Sequence, residues 1–264
     1  MQLPPCRLRR SWRAGETTEQ LRAQKDAMLS EVYRMLCICL GRPPKMFDFE
    51  YRDKNGEFHR DTNLTPQEFY KKYIGIPLNE YISVINAPTE NKPYYRSYTV
   101  QCLGNVTEGR PVKYVNLPID ELKKAAIRQQ QDEEPVWFGC DSEQSTCREG
   151  MMDTDLYDLE DLFDMSFPMT KAERLTYRES LMDHAMVLQG VNLDEKGNPN
   201  SWRVENSWGE EAGRDGFYVM SDRWFDEFTY QIVVNRKYLS EEALAAYDSE
   251  PILLEPWDPM GSLA

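Results

Sequence analysis

Apolar residues recur at helical spacing early in the chain and at nearly every second position late in it. Over 17–40, Leu21, Met28, Val32, Met35 and Cys39 repeat with the period of a helix. Thr17 and Gln20 form a capping box ahead of that run, and Gly41 with Pro43 and Pro44 ends it. A second helix is predicted from Thr65, with Pro66 at its first position and Glu68 at capping-box spacing. Between them, Tyr51 to His59 reads as a hairpin around Asp53–Gly56. Strands are predicted over 80–86, 94–103 and 136–138, and a helix over 119–131. From about 182 the period moves towards two. Met182–Val191, Trp202–Ser207, Phe217–Ser221 and Tyr230–Val234 read as strands separated by Gly, Asn and Asp turns.

Helices followed by antiparallel strands predict an α+β fold. The pattern divides the chain into a ragged start at 1–16, a helical and insert region over 17–135 and a strand region over 136–249. An extended arm over 250–264 follows, with three prolines, Trp257 and no regular period. Pro4 and Pro5 argue against a helix near the N-terminus, where Arg7, Arg9, Arg10 and Arg13 precede any acid.

The net charge of −14 argues against nucleic-acid binding outside that arginine cluster. No apolar run reaches the length of a membrane span, and no apolar stretch after the arginines suits a secretory signal. The six cysteines, Cys6, Cys37, Cys39, Cys102, Cys140 and Cys147, form no C-x-x-C pair, and there are two histidines. No metal centre of the usual spacing and no cofactor is expected, and reduced thiols in the cytoplasm are the default. Twelve acids crowd 132–164 against one base, Arg148. Aligned as a calcium loop from Asp153, this stretch puts Asp158 at the sixth position and Asp164 at the twelfth, where Gly and Glu are needed. It reads as a solvated acidic face.

Three pieces carry chemistry. Asp183-His184-Ala185 stands at the head of a predicted strand. Glu205-Asn206-Ser207-Trp208-Gly209 ends another, and Gly213-x-x-Gly216-Phe217 follows it. A thiol peptidase needs a thiolate, an imidazole that shares its proton and a group that fixes the imidazole tautomer. An Asn carbonyl can do the third job without adding charge, and a neighbouring Trp can keep water from that hydrogen bond. His184, Asn206 and Trp208 fit these roles together, although a lone His beside a strand, or Asn-Ser before Trp-Gly, is ordinarily structural.

These motifs, with Trp202-Arg203-Val204 before the second, resemble the histidine and asparagine motifs of papain-like peptidases. More closely, the chain resembles the bleomycin hydrolase family, which includes bacterial aminopeptidase C. The resemblance runs from about Leu8 to Ala264 and includes Cys37–Gly41, Glu50–Asp53, Val136–Asp141, Lys171–Leu175, Glu179–Met182 and Pro256–Gly261. It implies a papain-like cysteine aminopeptidase acting on peptides and aminoacyl amides, with His184 as base and Asn206 as its orienting partner. It also implies a cytoplasmic homo-oligomer, a hexamer around a channel. The C-terminal arm would lie in the cleft, where the carboxylate of Ala264 would meet the substrate's α-ammonium group.

The family's nucleophile lies in a Gln-Gly-x-x-x-x-Cys-Trp context that opens a helix, and this sequence has no Cys-Trp pair. The expectation is an N-terminally shortened chain without the nucleophile and without the oxyanion-hole Gln. Cys39 lies 145 residues before His184, inside the roughly 130–150-residue window of papain relatives. Yet it falls at a helix C-terminus, where the dipole disfavours a thiolate, and on the apolar stripe, where a buried structural thiol is expected. Cys6, Cys140 and Cys147 match no nucleophile motif. The alternative function is a non-catalytic subunit that assembles with full-length family members. Loss of the cysteine helix predicts an exposed apolar face in either case.

Overall fold

The computed structural model describes residues 4–104 and 109–262 and divides into two compact units, 1–76 and 77–264. In the first unit, α1 (Pro4–Arg13) precedes α2 (Thr18–Leu40). Residues 4–13 are thus helical, although Pro4 and Pro5 had argued against a helix there. Prolines at the first turn of a helix cost little, because those N–H groups have no intrahelical acceptor. In α2 the capping box of Thr17 and Gln20 forms as expected, and Gly41 closes the helix with φ 84°. Strands β1 (Phe47–Arg52) and β2 (Phe58–Leu64) make an antiparallel hairpin. The short α3 (Pro66–Phe69), capped by Thr65 and Glu68, runs on into a π-type turn over Tyr70–Ile74. The hairpin and α3 share an aromatic cluster in which Phe49 meets Phe69 at 4.8 Å and Tyr73 at 4.7 Å.

The stripe predicted on α2 is not buried. Met28 is buried, but Met35 and Cys39 are exposed, together with Leu29, Tyr33, Leu36, Ile38 and Leu40. The buried structural thiol expected at Cys39 is thus corrected: a helical repeat shows which residues share a face, not whether anything covers it.

The second unit is a ten-stranded, mostly antiparallel sheet with helices against it. In chain order come β3 (Tyr81–Ile85), β4 (Arg96–Val100), β5 (Tyr114–Asn116), α4 (Ile119–Gln131), β6 (Val136–Cys140), β7 (Met151–Met152), α5 (Leu159–Phe163) and α6 (Lys171–Tyr177). There follow β8 (His184–Leu193), β9 (Pro199–Glu205), β10 (Phe217–Ser221), α7 (Asp222–Phe228), β11 (Thr229–Asn235), α8 (Glu241–Asp248) and β12 (Ile252–Leu254). The strand order is β12-β4-β5-β3-β11-β6-β8-β9-β10-β7. Only β10 with β7, β12 with β4 and β3 with β5 run parallel.

Alternation decides what each strand buries. Trp202 and Val204 of β9 and Tyr218 and Met220 of β10 face a core shared with Leu122 and Ala126 of α4 and Phe225 of α7. Trp202 stacks on Phe225 at 4.9 Å, and its indole N–H donates to Asp222 Oδ1 at 3.1 Å. Lys123 of α4 is buried too, against the carboxylates of Asp222 (2.6 Å) and Asp226 (2.5 Å) on α7. A smaller core joins Ile85, Tyr98, Tyr114, Tyr230, Leu254 and Met260.

The C-terminal segment is more regular than its composition suggests. β12 adds to the sheet edge, and a short 3-10 turn at Pro259–Gly261 follows. Asp258 makes a buried ion pair with Lys92 at 2.8 Å, and Ser262 Oγ donates to the Met182 carbonyl at 2.7 Å. Ala264 lies outside the described residues. No helix among the described residues is long and apolar enough to cross a membrane.

Candidate active site

β8 begins at His184 and pairs antiparallel with β6, so that Cys140 lies opposite His184. On its other side β8 pairs with β9, with Val187 opposite Glu205. Followed past Glu205, that register carries the chain alongside the start of β8. Asn206 and Trp208 therefore arrive beside His184 although 22 or more residues separate them in sequence.

The imidazole Nε2–H donates to Asn206 Oδ1 at 2.9 Å. The same oxygen accepts from the Ser207 backbone N–H at 2.8 Å, and Asn206 N–H donates to the Gly216 carbonyl at 3.0 Å. Asn206 is thus held by the turn that follows it. With Nε2 protonated against an amide oxygen, Nδ1 is the basic nitrogen of the ring. Trp208 stacks on the imidazole, with ring centres 5.0 Å apart and planes at 25°. Trp208 in turn meets the edge of Tyr218 at 6.1 Å. Tyr218 is buried, and burial pushes its phenol pKa up, with the Asn206 amide opposing the rise.

The glycine motif after Asn206 shapes this turn. Gly213 has φ +65°, and a Cβ there would lie 2.3 Å from the Phe217 carbonyl oxygen and 2.9 Å from the Tyr218 ring. Gly150 packs against Gly213 just as tightly, with a Cβ position 2.7 Å from the Gly213 Cα. Two chain segments meet here at backbone distance, which a side chain at either position would prevent.

His184 and Trp208 line an open cleft of about 670 Å³. Its wall also includes Glu143, Cys147, Arg148, Asp183 and Glu211. Asp183 was legible in the histidine motif and Cys147 as one of the six cysteines, but nothing in the sequence placed Glu143, Arg148 or Glu211 beside His184. Glu143, Cys147, Arg148 and Glu211 come from the 142–148 and 209–212 loops, whose positions depend on β6, β8 and β10 rather than on any local pattern.

Cys147 shares the cleft with His184 but is poorly set up as a nucleophile. It lies in a loop, not at a helix N-terminus. The Glu149 carboxylate is held below its usual range by its own backbone N–H and then by the Cys147 thiol, which donates to it. Cys140 is fully buried, and burial, followed by the charges of Asp183 and Asp141, pushes its thiol well above the ordinary value. Cys39 is exposed at the C-terminal end of α2.

The acids of 153–164 serve local structure. Asp153 Oδ1 accepts from the Asp155 N–H at 2.8 Å, Asp158 caps α5, and Asp155 pairs with Arg223 at 2.5 Å. Among the described residues, the one cluster close enough to share a metal ion is Asp53, Glu57 and His59 in the β1–β2 turn. There Asp53 already braces the turn by accepting from the Asn55 and Glu57 N–H groups and by meeting His59 Nε2 at 3.0 Å.

Comparison with known proteins identifies the family. Residues 4–261 match the model of the Peptidase C1-like family. The chain is 54% identical over 244 residues to aminopeptidase C of Listeria innocua, covering 91% of this chain and 54% of that protein. It is 44% identical over 264 residues to human bleomycin hydrolase, covering 98% of this chain and 58% of that protein. The crystal structure of PepW from Lactobacillus rhamnosis superposes with a TM-score of 0.91 at 51% identity, covering 99% of this chain and 59% of that one. The chain thus spans little more than half the length of these relatives. Its helices and its large, mostly antiparallel sheet have the papain-like α+β fold, and the chain belongs to the Peptidase C1-like family.

Proposed function

We propose that this chain carries the base, the orienting residue and the C-terminal arm of a cysteine aminopeptidase that hydrolyses N-terminal aminoacyl amide bonds. The 2.9 Å hydrogen bond from His184 Nε2 to Asn206 Oδ1, under the Trp208 ring, carries this reading. Fixing Nε2–H leaves Nδ1 to take the proton of a thiol. The thiolate adds to the scissile carbonyl, and the imidazolium then gives its proton to the leaving amine as the C–N bond breaks. Water attacks the resulting thioester, again with His184 as base.

The sequence has no Cys-Trp pair, and the three thiols weighed above are poorly placed to act as the nucleophile. On this reading the nucleophile and the oxyanion-hole Gln are supplied by a portion of the family fold outside these 264 residues. Ser262 contacts the Met182 carbonyl, two residues before His184, which supports an arm ending near the cleft and the Ala264 carboxylate as anchor for the substrate's α-ammonium group. Hexameric assembly and a cytoplasmic location follow from the family resemblance and belong to the same proposal.

The test is turnover of fluorogenic aminoacyl amides by the chain alone and with the complementary N-terminal portion of a family member added back. The expected result is no turnover alone, and restored turnover that His184→Ala abolishes. Turnover by the chain alone that is lost on thiol alkylation would instead identify one of its own six cysteines as nucleophile.

A second reading, a non-catalytic subunit that joins full-length relatives, is favoured by the exposed apolar residues of α2 and of 157–167. Co-purification with a full-length relative, with fewer titratable active-site thiols per assembly, would support it. Failure to co-assemble would remove it.

A further inference from the structure

His184 opens β8, and the residues that lead to it, Glu179 to Asp183, belong to no helix or strand. Bonds to the end of β6 and to the loop after it set their course instead. Asp183 N–H donates to the Cys140 carbonyl at 3.0 Å, and the Cys140 thiol donates to the His184 carbonyl at 3.8 Å. The Ser142 N–H donates to Asp183 Oδ1 at 2.8 Å, and Gln144 Nε2 donates to the Glu179 carbonyl at 3.3 Å. On the opposite side, the pairing of β8 with β9 begins only at Val187, so His184 depends on the β6 side for its place.

In this seam lies a buried carboxylate that the thiol chemistry does not use. Asp141 is 5% exposed, and its own N–H donates to the Phe228 carbonyl at 3.1 Å. Its Oδ2 accepts from Ser180 Oγ at 2.6 Å, and Ser180 Oγ accepts in turn from the Tyr230 hydroxyl of β11 at 2.6 Å. Ser180 and Tyr230 are buried. Asp141 also accepts from the Gln144 side chain and the Leu181 N–H. Desolvation raises its pKa and the Asp183 charge adds to the rise, while the bonds from Ser180, Gln144 and Leu181 oppose it. A carboxylate out of water needs converging donors, and each of those donors loses its partner when the charge is removed. Two of the three, Ser180 and Leu181, stand on the segment that delivers His184, and Gln144 stands on the loop beside the cleft.

Resting on the aminopeptidase reading above, we infer that Asp141, braced through Ser180 against Tyr230, is a positioning residue for His184. The carboxylate holds the 180–183 segment on the end of β6 and so fixes where the imidazole meets Asn206. Asn206 is held separately, by the Ser207 N–H and the Gly216 carbonyl. A shift of the 180–183 segment therefore moves the imidazole against a fixed acceptor, and the bond from Nε2 to Asn206 Oδ1 is the first to weaken.

The chain has two histidines, His59 and His184, so the imidazole nitrogen shifts can be followed by nuclear magnetic resonance in the 264-residue chain, with His59 as internal control. At a pH where the ring is neutral, the parent should show His184 protonated at Nε2 and bare at Nδ1. Asp141→Asn places an amide N–H₂ where a donor needs an acceptor, and Ser180→Ala removes the hydroxyl between Asp141 and Tyr230. Both should draw the two ring nitrogen shifts of His184 together, the mark of mixed tautomers. Both should also speed exchange of its Nε2–H with water about fivefold, the factor that one weakened hydrogen bond corresponds to, with His59 unchanged. Ser180→Ala removes a single oxygen and decides the matter if Asp141→Asn does not fold. A folded variant with the parent His184 spectrum would overturn the inference whatever its Tm, because the seam would then serve stability alone. After add-back, Asp141→Asn should lower kcat about tenfold with KM nearly unchanged, since the proton acceptor and not the substrate is displaced. An unchanged kcat would count against the positioning role. The two proposals fail separately, because the spectrum needs no turnover. A changed His184 spectrum with no turnover on add-back of the parent would keep the positioning role and remove the aminopeptidase. The parent spectrum in both variants, with turnover restored on add-back, would do the reverse.

Discussion

His184 and Asn206 are 22 residues apart in sequence and 2.9 Å apart in space. Replacing Asn206 by Ala frees the imidazole to rotate and to change tautomer. After add-back of the complementary portion, Asn206→Ala is expected to lower kcat/KM for aminoacyl amides about 10²-fold, within the range for misplacing a general base. An unchanged value would remove Asn206 from the mechanism. At the same scale the thiols should differ in reactivity. Cys39 and Cys102 are exposed and should react with iodoacetamide in the native chain, whereas buried Cys140 should react only after denaturation. Peptide mapping of the labelled sites checks this.

Lys171 gives a pH signature. It is the first residue of α6, fully buried over the Tyr230 ring, and donates to the carbonyls of Asp226 (2.8 Å) and Thr229 (2.6 Å). Burial pulls its pKa down to about 7, against the pull of Glu227 and Asp226, from an ordinary 10.5. Below about pH 7 both the folded and the unfolded chain hold the proton, so the full cost of burying the charge applies. Between about 7 and 10.5 the folded chain has lost it and the unfolded chain has not, so stability rises with pH. Lys171→Met should flatten that part of the Tm–pH profile relative to the parent. An identical slope would show that the two carbonyls and the ring keep the ammonium charged.

Among the elements, the turn from Asn206 to Phe217 does most to hold the site. It carries Asn206 and Trp208 and returns the chain through Gly216 to β10. Because a Cβ at Gly213 would overlap the Phe217 carbonyl, Gly213→Ala should cost roughly 2–4 kcal/mol by thermal melting. It should also loosen Trp208 from the imidazole, seen as a change in the His184 resonance. A variant as stable as the parent would mean that the turn relaxes freely. The Gly213-x-x-Gly216 motif was visible in sequence, but its partner Gly150, 63 residues earlier, was not, since only β7 pairing with β10 brings the two together. Helix α4 was legible to its ends because both its stripe and its boundaries are local. Helices α6, α7 and α8 are short, 7 or 8 residues each, and too brief to establish a period.

At the scale of the molecule, α2 exposes Leu29, Tyr33, Leu36, Ile38 and Leu40, and 157–167 exposes Tyr157, Leu162, Phe163, Met165 and Phe167. Apolar surface of this extent is expected to bind an environment-sensitive dye and to drive self-association of the purified chain. A monomer that melts cooperatively without binding dye would contradict this and the need for a further portion of the fold. β3, β4, β5 and β12 join the same sheet as the site strands, so regions that sequence periodicity separated at 136 and 250 are parts of one sheet.

The sequence by itself determined the α+β class, the capped starts of α2 and α3, the extent of α4, the strands from β8 to β11 and the residues of the His–Asn–Trp group. Each rests on a local period, a cap or a short motif, and needs no knowledge of distant neighbours. The tertiary structure alone decided that Asn206 Oδ1 faces Nε2, that Trp208 stacks on the ring, that Cys39 is exposed, and that Glu143 and Glu211 join Asp183 in one cleft. Those outcomes depend on strand register and on which elements cover which faces, and burial and proximity between distant segments are properties of the packed sheet.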